Sequence, residues 1–176
     1  MRRRALALLV AAGCAGLLAS AAGPSRAGAP IPCDLTLKFG ARSEGPPGQF
    51  HLNLVVVNTD NVTNTSCRVS GFPDVELIGP VDPMFGSIYV VPNQAGRSES
   101  VTLRPGQRAH AVLTWLPWSS GNVSRRWVPS YVRVVVPTNR GLSFAMALPW
   151  RFGSVLRQDA ATHPGTYIGP MRGGAR

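Results

Sequence analysis

The stretch that decides the fold is Ser66-Cys67-Arg68-Val69-Ser70-Gly71-Phe72-Pro73-Asp74-Val75-Glu76-Leu77. Short alternating segments flank its Gly-Phe-Pro corner, and Cys67 opens the first of them. Because proline cannot donate a hydrogen bond to a sheet ladder, Pro73 is expected at a turn or a sheet edge. The stretch therefore predicts two short strands joined by a corner, with the rest of the chain folding back on them.

The segments on either side also alternate with the period of a β-strand. Leu35, Leu37 and Phe39 share one face of the first segment, and residues 50–58 become apolar on both faces, which is typical of a central strand. Turn sequences such as Arg104-Pro105-Gly106-Gln107 separate the segments, and no stretch has sustained helical periodicity. About seven to nine short strands at this spacing predict an all-β chain folded as a two-sheet antiparallel β-sandwich over residues 33–150.

The N-terminal segment predicts export. Arginines at positions 2–4 precede an apolar run to Ala22, and Ala19-Ser20-Ala21 fits signal peptidase, so residues 1–22 are expected to be a signal peptide. An uncleaved anchor is one alternative, since about 18 apolar residues can just span a bilayer. Lipidation of Cys14 is another, because Ala-Ala-Gly before it weakly matches a lipid-attachment motif. Residues 23–32, rich in Gly, Pro, Ala and Ser, predict a flexible linker.

The formal charge of the chain is +10, and removal of the four leader arginines leaves 14 basic against 8 acidic residues. The basic residues are scattered along the chain, which argues against a nucleic-acid partner. An anionic envelope surface is compatible with this charge. Contact with a membrane is expected only through the leader or a lipid anchor.

Two cysteines, Cys33 and Cys67, remain after the leader. In an oxidising compartment such a pair predicts one disulfide, which should stabilise the fold by roughly 3–4 kcal/mol. A reactive or metal-binding pair is the alternative, but neither a Cys-x-x-Cys spacing nor a nearby histidine supports it. We therefore expect a structural role for both residues.

Several of these features also occur together in a known family. Cys33-Asp34-Leu35 opens the first strand, Val57-Asn58-Thr59 ends the central one, Cys67 stands just ahead of Gly-Phe-Pro, and a Leu-x-Pro-Gly-x-x-Ala turn runs from Leu103 to Ala109. From Cys33 to Leu148 the sequence resembles the domain of unknown function "forty-two thirty-two", frequent in actinobacterial exported proteins and lipoproteins. The resemblance implies an immunoglobulin-like sandwich with a disulfide between Cys33 and Cys67, and it brings no activity.

The sequence offers little for catalysis. By strand parity His51 and His110 point outward, and His163 lies in a predicted irregular, mobile tail over residues 151–176. The only close acidic pair, Asp74 and Glu76, is expected on an exposed strand face beside a turn. We therefore expect no enzyme activity, no metal and no cofactor. An envelope hydrolase is the remote alternative, and it requires His51 or His110 to meet acidic residues in a cleft.

The strongest candidate for a binding surface is the irregular insertion over residues 117–129. Trp118, Arg125, Arg126 and Trp127 interleave aromatic and cationic side chains that can stack on sugars or contact a protein. The alternative, which we favour, is that Trp118 and Trp127 fold back to cover the open end of the sandwich. The sequence therefore predicts a non-enzymatic, secreted or envelope-associated β-sandwich. We expect a monomer that serves as a binding or structural module for an unidentified envelope protein or glycan. The alternative is a glycan or small-ligand binder that uses the Trp118–Trp127 insertion.

Overall fold

The computed structural model of the chain describes residues 33–46, 48–117, 126–143, 145–158 and 160–174. The predicted signal peptide, linker and Cys14 lie outside these residues. All regular structure in the described part of the chain is β, which confirms the predicted fold class. These residues include no helix long and apolar enough to cross a bilayer.

Thirteen strands are described, of which nine have four residues or more, in agreement with the predicted number. They are β1 Leu35–Gly45, β2 Gln49–Asn58, β3 Cys67–Ser70, β4 Asp74–Asp82, β5 Gly86–Val90, β6 Ser100–Leu103, β7 Arg108–Trp115, β8 Tyr131–Val135, β9 Pro137–Thr138, β10 Gly141–Leu142, β11 Met146–Pro149, β12 Tyr167–Ile168 and β13 Arg172–Gly173. All the pairings between these strands are antiparallel.

The strands form two layers. One is a sheet in the order β1-β2-β7, with both β12 and β13 paired to β7. The other contains two four-stranded sheets, in the orders β10-β9-β3-β6 and β11-β8-β4-β5. Alternate residues of both layers meet in one apolar core, as the period of the sequence predicts. The core side chains that are almost fully buried include Leu52, Leu54, Val56, Val69, Val75, Leu77, Leu103, Leu113, Trp115, Val132 and Val134.

The corner at residues 71–73 and the disulfide lie where the sequence places them. Cys33, just before β1, is bonded to Cys67 at the start of β3, with 5.8 Å between the Cα atoms. Gly71 has a φ of +78°, a conformation that glycine adopts without the steric penalty of a Cβ atom. The bond therefore links the two layers beside the corner, and the predicted disulfide is confirmed.

The described residues between 151 and 166 contain no strand, as predicted, but the segment that follows them packs against the sandwich, which the prediction of a mobile tail did not anticipate. Tyr167 and Ile168 pair with Thr114 and Leu113 of β7. Ile168 also exchanges backbone hydrogen bonds with the 92–94 segment, and its side chain is fully buried. Met171 is fully buried as well. The sandwich therefore extends through residue 174, because the last strands complete the sheet edge beside β7.

Candidate interaction surface

The predicted binding residues of the 117–129 insertion do not form a described surface. Trp118 and Arg125 lie outside the described residues, and Arg126 is exposed. Trp127 is only 5% exposed and belongs to the core. The prediction of Trp127 as an exposed contact is therefore wrong, and the alternative that it folds back onto the sandwich is confirmed for this residue.

Trp127 covers the middle of β4. Its indole Nε1 donates a hydrogen bond to the carbonyl oxygen of Pro80 at 2.9 Å. A Cβ atom on Gly79 would lie 2.9 Å from the indole ring, which is closer than real side chains approach. The glycine therefore allows the indole to approach the strand closely, and the strand in turn accepts a hydrogen bond from the indole N–H.

Arg157, from the C-terminal segment, holds the hairpin formed by β4 and β5. Its guanidinium lies 4.6 Å from the ring centroids of both Trp127 and Phe85. It also forms a 2.7 Å ion pair with Asp82 and donates to the carbonyl oxygen of Gly86 at 3.3 Å. Only 8% of the Arg157 side chain is exposed, so its contacts with the rings are largely dry and stronger than at an open surface.

The hairpin tip is ordered by Asp82. The carboxylate accepts hydrogen bonds from the backbone N–H groups of Met84 and Phe85 at 2.9 and 3.0 Å. The Met84 N–H is the largest influence and lowers the pKa of Asp82. Burial opposes it, and the Phe85 N–H and the charge of Arg157 then lower the pKa further. The tip therefore has a fixed shape at neutral pH, although its outer side chains are open to solvent.

This hairpin carries most of the exposed large apolar side chains in the described part of the chain. Six of the eight exposed large apolar side chains lie on this hairpin or on the adjacent strand β8. We call these six residues the apolar patch. They are Val81, Met84, Phe85, Ile88, Val90 and Tyr131, between 48% and 80% exposed. Scattered apolar residues are normal on protein surfaces, whereas clusters of exposed apolar residues are typical of interaction surfaces, so the apolar patch is a candidate for one.

The patch borders the free edge of a sheet, because β5 is the last strand in the order β11-β8-β4-β5. Ile88 pairs with Ile78, which pairs with Tyr131, so an apolar row crosses the outer face of this sheet. In the next row Val90 pairs with Glu76, which forms an ion pair with Arg133. An edge strand presents unpaired backbone N–H and C=O groups, so this one offers hydrogen bonds as well as apolar contacts.

A shallow pocket lies beside the edge strand. Its volume is about 280 Å³, and it is lined by Phe85, Ile88, Tyr89, Val90, Arg157 and Gln158. The phenol of Tyr89 donates to the carbonyl oxygen of Gln158 at 3.1 Å, which fixes the inner wall. The lining therefore combines apolar side chains with the polar side chains of Arg157 and Gln158.

The histidines are dispersed over the sandwich. His51 Nδ1 is 2.9 Å from the hydroxyl of Thr114, and His163 accepts a hydrogen bond from the Gln94 side chain at 3.1 Å. His110 lies on β7, next to β2, but its register partner is Val55 and not His51. No group of three metal-ligating side chains occurs among the described residues.

The two residues of the close acidic pair, Asp74 and Glu76, have different surroundings. Glu76 forms an ion pair with Arg133, whereas Asp74 is exposed at the start of β4. Two buried nitrogens lack a partner within the described residues, Nδ1 of His110 and Nε1 of Trp115. They lie on different faces of β7, because Trp115 belongs to the core and His110 to the outer face.

The apolar patch was missed in the sequence, although a signal for it exists. Ile88-Tyr89-Val90-Val91 is an unbroken apolar run, and such runs are typical of strands covered on both faces. In the fold Tyr89 and Val91 point into the core, whereas Ile88 and Val90 are exposed. An apolar run in an edge strand therefore marks an open apolar face.

These observations define the protein as an antiparallel β-sandwich domain that is closed by one disulfide and has an open apolar edge. The model of one family, described as Domain of unknown function (DUF4232), matches residues 33–164. The match covers three-quarters of the chain, and the protein belongs to this family. A search of curated proteins finds no match to the chain.

Proposed function

We propose that the protein is a non-enzymatic interaction module, exported to the cell envelope, which binds an extended segment of another envelope protein through the apolar patch and the edge of β5. The observation that carries this proposal is the coincidence of the two features. The exposed apolar residues lie on the strand, and around the hairpin, whose backbone edge is free.

An extended peptide is the partner that suits this surface best. A strand added to β5 gains main-chain hydrogen bonds, and its alternate side chains reach the row that contains Ile88 and the pocket beside Phe85. The Arg157 and Asp82 contacts hold the hairpin in place before binding, so little ordering is required on this side. The charged row of Glu76 and Arg133 borders the apolar row and favours one register.

Export is supported by two independent features. The leader has the charge and apolar run of a signal peptide, and the Cys33–Cys67 disulfide suits an oxidising compartment. A non-enzymatic role agrees with the dispersal of the candidate residues, since His51 and His110 occupy different register positions on β2 and β7, and Glu76 forms an ion pair with Arg133. No described feature favours the glycan binder, because its Trp127 is buried.

The proposal is tested with a photoreactive amino acid at position 90 of the exported full-length chain, followed by crosslinking in the native host. The matched control carries the same group at Val62, which is 89% exposed and lies in the loop before β3, away from the patch. We expect a defined protein adduct from position 90 and none of that mass from position 62.

A second variant distinguishes strand addition at the edge of β5 from nonspecific hydrophobic association. Adding Ile88→Lys to the position 90 protein should abolish the adduct, because a charge in the apolar row opposes an added strand. The same adduct from both positions, or an adduct that survives Ile88→Lys, would refute the proposed surface. An adduct between two copies of this chain would refute the choice of partner.

A further inference from the structure

A second surface lies on the opposite layer, on the outer face of the β1-β2-β7 sheet. A pocket of about 220 Å³ opens there, with Val55 and Val57 of β2 as its apolar part and Lys38 and Arg108 among its lining residues. Lys38 pairs with Val55, and Arg108 pairs with Val57, so both cationic side chains project from the same face. They stand two strands apart, or roughly 10 Å across the sheet.

The pocket is shaped by a glycine. A Cβ atom at Gly40 would come within 2.7 Å of Cγ2 of Val55, so any larger residue there would displace the side chain of Val55. Val55 is only 5% exposed although it faces outward, which means that its neighbours on the sheet cover it. The two cations, which are themselves exposed, therefore border a pocket whose floor is the buried side chain of Val55.

Neither cation is neutralised within the described part of the chain. The ion pairs there join Arg133 to Glu76, Arg157 to Asp82 and Arg172 to Glu99, and include neither Lys38 nor Arg108. The residues that line the pocket include no carboxylate. Two unpaired positive charges on one concave surface attract an anion, since an anion between them also removes their mutual repulsion.

Arg108 also borders a larger pocket of about 380 Å³, which is lined by Thr102, Gln107 and Gly174 among others. The amide oxygen of Gln107 accepts a hydrogen bond from the backbone of Arg104, which leaves the NH₂ group as a donor toward a ligand. A ligand anchored at Arg108 can therefore extend into a second space, whose lining includes the polar side chains of Thr102 and Gln107. This suits an anionic group that carries a hydroxylated substituent better than it suits a bare inorganic ion.

We propose that this face binds a phosphate ester. The guanidinium of Arg108 matches two phosphate oxygens at once, the ammonium of Lys38 supplies a second charge from the other side, and Thr102 and Gln107 contact a polyol substituent. Glycerol phosphate is the simplest group of this class. It occurs as a free or polymeric ester and as a lipid headgroup. The site would bind the phosphate and polyol groups that these sources share.

The test uses the exported full-length chain, with glycerol 1-phosphate in solution and vesicles of phosphatidylglycerol as probes, and phosphatidylcholine vesicles as the neutral reference. Lys38→Gln and Arg108→Gln should each weaken binding about tenfold or more, the usual effect of losing a charged hydrogen bond. Arg151→Gln removes the same charge from an exposed arginine outside both pockets, and it should change affinity less than twofold.

Lys38 is the only lysine of the chain, which allows a second measurement without any change in its charge. After reductive methylation with ¹³C-formaldehyde, its dimethylamino signal should shift on addition of glycerol 1-phosphate, and Arg108→Gln should abolish the shift. Binding of the soluble ester supports a free or polymeric source. Binding of phosphatidylglycerol vesicles alone, lost in both pocket variants, supports a lipid source. Equal weakening by Arg151→Gln, or no response to either probe, overturns the proposal.

Discussion

Replacing Ile168 by alanine should lower the free energy of unfolding by about 3–4 kcal/mol. The side chain of Ile168 is fully buried in the core beside Leu113, and truncation of such a residue typically costs about 2–5 kcal/mol through lost burial and the cavity that remains. The backbone hydrogen bonds of Ile168 with Pro92 and Gln94 are untouched by the change. The loss therefore reports how firmly the C-terminal segment packs.

The measurement is urea unfolding at 25 °C, followed by tryptophan fluorescence. An unchanged slope with a lower midpoint would show that stability alone has changed, and the melting temperature should fall by about 10 °C. The matched control is Ile88→Ala on the 48% exposed edge position, with an expected cost of about 1 kcal/mol or less. Equal costs at both positions would refute the assignment of residues 151–174 to the folded core.

Two further predictions concern the disulfide and the hairpin tip. Replacing Cys33 and Cys67 by alanine should cost about 3–4 kcal/mol in urea unfolding, because the bond spans a sequence separation of 34 residues, and an unchanged midpoint would contradict this. The pKa of Asp82 is lowered by the Met84 N–H and, in part, by Arg157, so its stabilising effect is complete above the ordinary value of 3.8 and is lost as the pH falls through the lowered pKa. A ¹³C titration of the carboxyl group should show a midpoint below 3.8 that rises in Arg157→Ala, and a midpoint that the variant leaves unchanged would exclude a role for the arginine.

The segments that the sequence predicts well are those in which apolar residues alternate with polar or small ones, including the first half of β2. Leu52 and Leu54 of β2, and Ala111 and Leu113 of β7, alternate with residues that point outward, and all four side chains are buried. In these segments the two-residue periodicity alone shows which side chains face the core, whichever strands lie beside them. The corner near Pro73 was equally predictable, because it depends on the local conformational limits of glycine and proline.

The C-terminal segment and the edge position of β5 were not predictable from local pattern. Residues 165–171 read Gly-Thr-Tyr-Ile-Gly-Pro-Met and show no alternation, since their burial depends on pairing with β7 and with the 92–94 segment. The side-chain hydroxyl of Thr166 donates a hydrogen bond to the carbonyl oxygen of Leu156. The periodicity of apolar residues in the sequence cannot predict such a contact. Likewise, the position of a strand within its sheet is set by distant partners, so the apolar run of β5 could not show which face stays open.

The two proposed surfaces are separated by the whole core. The apolar patch lies on the layer that contains β4 and β5, and the phosphate pocket lies on the layer that contains β1, β2 and β7. Packed sheets are about 10 Å apart, and side chains on opposite outer faces are farther still, so changes at the two surfaces should act independently. Ile88→Lys should therefore leave the binding of glycerol phosphate unchanged, and Arg108→Gln should leave the adduct at position 90 intact. If both proposals hold, neither ligand blocks the other, and one molecule binds a phosphate ester on one face and a partner protein on the other.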